Sequence, residues 1–156
     1  MNMGDRTYTT ITLSGVVNEE DVDELVEAVN ADWLTCDDGP ELNDNALMRE
    51  HLQWMMYNPE CNYGELENTE STCQRLGVSY LKVWAEGGGY GPGMEIYNAV
   101  TGVTVTCGAI EGEPALTLSD IKKIGDAEAA IGYLEAFNNF RENYGPLEIK
   151  PLEDAA

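Results

Sequence analysis

Basic residues are scarce in this chain: 8 Lys and Arg stand against 29 Asp and Glu in 156 residues, and histidine occurs once. A formal net charge of −21 opposes approach to nucleic acid or to an anionic membrane surface, so neither is expected as a direct partner. One imidazole, His51, is too few for most zinc sites and, in a mixed apolar and charged context, reads as structural. Long hydrophobic runs are also missing. None approaches the roughly 18 residues that would cross a bilayer. Met1 to Arg6 carries no basic segment leading into an apolar one, so no secretory signal is read and a cytoplasmic location is the expectation.

Close cysteine pairs are absent too. Cys36, Cys61, Cys73 and Cys107 are separated by 24, 11 and 33 residues, which fits neither a zinc knuckle nor a redox motif. Reduced structural thiols without metal are expected. A glycine-rich stretch does exist, Gly87-Gly88-Gly89-Tyr90-Gly91-Pro92-Gly93. It lacks the Lys-Ser/Thr of a phosphate loop and runs into a strand pattern rather than a helix. It reads as a connection, with Tyr90 available for contact with a partner.

What the chain has in excess is acid, unevenly placed. Residues 1–70 hold 17 acids and 2 bases, and between Asn18 and Asp44 there are 11 acids and no base. Apolar residues make up 43% of the composition, ample for one globular domain of this length. The tail from Leu152 to Ala156 is expected to fray.

Patterning predicts an α+β fold: a mainly antiparallel sheet of about 5–6 strands with helices packed on one face. Arg6 to Leu13 alternates with Thr9, Ile11 and Leu13 on one side, as a strand does. Asn18 is placed to cap a helix whose buried stripe is Val22, Leu25, Val26 and Val29. A second helix is predicted from about Ala46 to Tyr57, stopped by Asn58-Pro59, and a third from Glu65 to Leu76, closed by Gly77. Val78 to Trp84, Gly93 to Val100, Val103 to Ile110 and Ala115 to Leu118 read as four successive antiparallel strands. A last helix follows Asp126, with Ala130, Tyr133, Leu134, Phe137 and Phe140 facing one way, before a final strand from Leu147 to Lys150.

The candidate functional surface is the acid opposite the first helix's apolar stripe. Glu20, Asp23, Glu24 and Glu27, flanked by Glu19, have no Lys or Arg four residues on to neutralise them. Residues four apart rise about 6 Å along a helix, close to the roughly 6.8 Å between alternate phosphates of a DNA strand. Asp37, Asp38, Glu41 and Asp44 extend the row in sequence. They do not follow the spacing of an EF-hand loop, so no metal is expected. No catalytic residues and no cofactor are read from the chain.

In composition and over Asn18 to Asp44 the chain resembles the small acidic proteins of phages and mobile elements that inhibit restriction or CRISPR systems. The likeness is to a functional class, without a diagnostic motif. It implies an inhibitor that offers a DNA-like negative surface to the basic groove of a nucleic-acid-binding effector. The competing readings are an interaction or salt-adapted domain with another basic partner and, third, a small carboxylate- or cysteine-dependent enzyme.

Overall fold

A computed structural model of the chain describes residues 6–35, 52–53, 55–62, 65–86, 91–111, 113–143 and 145–151. Strand β1 (Arg6–Ser14) turns at Gly15 into the short β2 (Val16–Asn18). A 3₁₀ turn (Glu19–Asp21) then leads into α1 (Val22–Ala31). After β3 (Met56–Asn62) come α2 (Glu67–Leu76), β4 (Ser79–Trp84), β5 (Gly93–Asn98), β6 (Val103–Ile110) and β7 (Glu113–Ala115). The described chain closes with α3 (Leu118–Ile124), α4 (Ala127–Asn143) and β8 (Glu148–Lys150).

Six strands form one antiparallel sheet in the order β3-β1-β4-β5-β6-β7, and β2 pairs in parallel with β8. The α+β class and the run of antiparallel strands thus match the sequence pattern. The helices, however, divide between the two faces. Leu13, Tyr80 and Tyr97 are register partners on the first face and join the core formed with Val22, Leu25, Val26 and Val29 of α1 and Cys73 of α2. Val83, Met94 and Cys107 are register partners on the second face, where Phe137 and Phe140 of α4 cover them. The reason lies in β4 and β5. Tyr80 and Leu81, like Ile96 and Tyr97, are neighbouring residues that each pack into a core, so both faces of these central strands require cover.

The second predicted helix also changes. Met56 and Tyr57 belong to β3, where Met56 faces Ile11 and Tyr57 faces Thr10. Pro59, expected to end a helix, lies in this edge strand, a position that tolerates a missing N–H. Residues 46–51 of that prediction, including His51, lie outside the described residues. Asn18 precedes the 3₁₀ turn and its side chain makes no capping hydrogen bond.

Polar contacts guard the sheet edges. On β3, Tyr57 exchanges backbone hydrogen bonds with Thr35, at 2.8 and 2.9 Å. On β6, the Tyr133 hydroxyl accepts from the Thr106 N–H at 3.0 Å and donates to the Thr106 carbonyl at 2.6 Å. Each occupies backbone groups that would otherwise template another strand. Among the described residues, no helix is long and apolar enough to cross a membrane.

Candidate functional site

The heptad-like stripe of α1 sinks Val22, Leu25, Val26 and Val29 almost completely. Helical geometry therefore sends Asp23, Glu24 and Glu27 outward, and all three are exposed, as is Glu20 on the preceding turn. Glu19 is only half exposed. Of the remaining predicted positions, Asp37, Asp38, Glu41, Asp44 and Tyr90 lie outside the described residues.

The fold adds to this surface what the linear sequence does not display. Helix α2 packs beside α1 and carries exposed Glu67, with Glu65 just before it. It also brings a cation: Arg75 pairs with Glu24 at 2.5 Å. Both side chains are well exposed, so the pair contributes about 0–1 kcal/mol. The absence of local i+4 partners was therefore only half of the account, because the neutralising charge for Glu24 comes from another helix.

Asp32 has a different use. Leu66, at the α2 N-cap position, supplies no capping side chain. Asp32 instead reaches across from the end of α1, accepting from the Thr69 N–H at 2.6 Å and from Asn68 Nδ2 at 3.0 Å. A carboxylate there satisfies orphan N–H groups and suits the positive end of the helix dipole.

Beneath α2 lies a buried charged cluster that sequence reasoning missed. Lys82 of β4 is 5% exposed, on the same face as Tyr80. Its Nζ lies 3.0 Å from Glu70 Oε2 of α2 and 3.6 Å from Glu95 Oε2 of β5. The Tyr80 hydroxyl donates to Glu95 Oε2 at 2.9 Å, and Thr106 Oγ1 donates to Glu95 Oε1 at 3.2 Å. Glu70 Oε2 also accepts from the Leu66 N–H at 2.8 Å, which ties the start of α2 to the lysine. The Trp84 ring stands 5.4 Å from the ammonium. The only sequence signal was a lysine and a glutamate inside strands whose neighbours are apolar.

One ammonium thus serves two carboxylates. Burial pushes Glu70 up, but the Lys82 charge and the Leu66 N–H more than offset it, and its carboxyl falls below the ordinary value. Burial also raises Glu95, Lys82 pulls it down less effectively, and the neighbouring Glu70 pushes it up again, leaving it above the ordinary value. Burial, with Glu95 and Glu70 close by, pushes the Tyr80 phenol up as well. The cluster ties α2 to the sheet, with the ammonium hydrogen-bonded to Glu70 and ion-paired with Glu95.

The described thiols are poorly suited to nucleophilic work. Cys61, Cys73 and Cys107 are buried and unbridged. Burial raises all three, Cys73 to about 12 with Glu70 and Asp32 adding to the effect. A thiolate is the reactive form, so these sites are inert near neutrality. Cys36 lies outside the described residues, and among those described no cluster of His, Cys, Asp and Glu is arranged to hold a metal ion.

No known protein family matches the chain, and no curated protein or solved structure matches it significantly in sequence or fold.

Proposed function

We propose that this chain is a non-catalytic acidic binding protein that inhibits a nucleic-acid-handling complex, of the restriction or CRISPR kind, by occupying its basic groove. The observation that carries the reading is the outer surface of α1. A helix anchored by four buried aliphatic residues holds Asp23, Glu24 and Glu27 in solvent, and Glu20 is exposed on the turn before it. Among the described residues, Arg75 is the cation that forms an ion pair there. Charges fixed on a rigid element need no reorganisation to meet a basic surface, and the net −21 speeds encounter by long-range steering.

The test is inhibition of DNA cleavage by a panel of purified restriction and Cas complexes. Reversing Glu20, Asp23, Glu24 and Glu27 to Lys abolishes inhibition while leaving the melting transition in place, because these side chains are exposed. Reversing Glu128, Glu135, Glu142 and Glu148, also exposed, changes total charge equally and leaves inhibition intact. Wild-type inhibition weakens steeply as salt rises through the physiological range. Equal loss in both variants, or equal retention, overturns the reading and leaves the acidity as a solvation or salt adaptation.

A further inference from the structure

The second sheet face is not fully covered by α4. At the end of the sheet that holds the start of β1, the ends of β4 and β6 and the entry to β5 between them, a cavity of about 260 Å³ opens beside Tyr8, Thr10, Val83, Pro92, Ala109 and Glu111. Backbone hydrogen bonds hold its walls: the Ala85 N–H donates to Tyr8 O at 2.9 Å, and the Ala109 N–H donates to Pro92 O at 3.1 Å. Tyr8 is braced by stacking on Tyr57, with ring centroids 5.4 Å apart. The cavity is therefore built from strand backbone and a stacked aromatic ring.

Its chemistry selects an occupant. The walls supplied by Val83, Pro92 and Ala109 require an apolar body. Glu111 is the only charged residue among the described residues lining it, and a chain of net charge −21 repels anions. Tyr8 also lines it, and the electron-rich face of an aromatic ring attracts a planar cation. The volume falls below the roughly 300–1,000 Å³ of pockets for drug-sized ligands, so one long side chain suits it better than a cofactor. Guanidinium is weakly hydrated, planar and able to stack, which favours arginine over lysine.

We propose that this cavity seats a single arginine side chain of the basic partner, its aliphatic stem along Val83 and Ala109 and its guanidinium at Glu111. The proposal rests on the reading of a basic partner, though not on the α1 surface, which packs over the opposite sheet face.

The probe is Nα-acetyl-arginine methylamide, titrated into the full chain and followed by NMR at the methyl groups of Val83, Ala85 and Ala109. Saturable shifts are expected there, with no saturation for the neutral citrulline analogue. E111Q weakens the response at least fivefold, and Ala109→Leu, which fills the cavity, removes it while the other methyl resonances stay dispersed. The α1 quadruple reversal leaves the titration unchanged. An equal response to citrulline, an unaltered response in E111Q or no saturation overturns the cavity assignment, even where α1-dependent inhibition holds. Conversely, saturation in a chain that fails the inhibition test preserves the cavity and removes only the α1 reading.

Discussion

Glu70 and Lys82 meet at 3.0 Å between α2 and β4, and the same carboxylate oxygen accepts the Leu66 N–H at 2.8 Å. One acid therefore fixes the entry to a helix and balances a lysine that is 5% exposed. Glu95 and Tyr80 complete the cluster from the sheet. Its energetic character is that of a buried ion pair, costly to desolvate and far costlier to break on one side.

Removing the lysine leaves two carboxylates facing each other under α2. Lys82→Met is expected to destabilise the fold by about 3–5 kcal/mol, the range for stranding a buried charge. Neutralising all three positions, with Glu70→Gln and Glu95→Gln added, recovers much of the loss. Urea denaturation of the single and triple variants checks this; a triple variant no more stable than the single shows that the charges do not act as a unit.

Stability should depend on pH in a way that separates the two acids. Glu95 lies above its ordinary value of 4.5. Its contribution is present below that value and is lost as pH rises through its folded pKa. Glu70 lies below 4.5. Its contribution is present above 4.5 and is lost as pH falls through its folded pKa. The wild type is therefore expected to lose stability as pH rises above 4.5, beyond the general repulsion of its surface acids. Denaturation midpoints across that range, compared with Glu95→Gln, read out the difference. A variant profile parallel to the wild type means that Glu95 does not titrate in this window.

Gly93 is where the sheet admits the Trp84 indole. A Cβ built at Gly93 would lie 2.6 Å from Trp84 Cε2 and 2.9 Å from the Cys107 carbonyl oxygen, which is backbone and cannot rotate away. Gly93→Ala is expected to cost about 1–3 kcal/mol, as overpacking does. It also displaces the indole from Lys82. Thermal melting and the tryptophan emission maximum should shift together, and an unchanged melt shows that the strand absorbs the methyl by moving.

The Tyr133 hydroxyl closes the open part of the β6 edge at Thr106. Tyr133→Phe keeps the ring packed near Phe137 and deletes only these two bonds. Because Thr106 is exposed, water replaces part of what is lost, and the stability cost is about 0.5–1.5 kcal/mol. The larger effect is expected in association, since free N–H and C=O groups on an edge invite pairing. Light scattering on concentrated samples tests for oligomers absent from the wild type.

The sequence by itself determined the elements whose signals are local. Alternation of Thr9, Ile11 and Leu13 was enough to place β1, the 3.6-residue repeat of Val22, Leu25, Val26 and Val29 to orient α1, and Gly77 to end α2 in a left-handed turn, φ 74°. The outward direction of Asp23, Glu24 and Glu27 followed from the same repeat, whereas Glu20 is exposed on the 3₁₀ turn before it. Tertiary structure decided everything that depends on which elements become neighbours. Met56 and Tyr57 carry no local pattern separating helix from strand, and pairing with β1 made them strand. The division of helices between the two faces came from packing demands on both sides of β4 and β5. Arg75 reached Glu24, Asp32 capped α2, and Glu70 met Lys82 and Glu95 across 12 and 25 positions of sequence. A charge records its sign in the sequence, but whether it is solvated, paired or buried is set by distance and desolvation, and these exist only once the chain has folded.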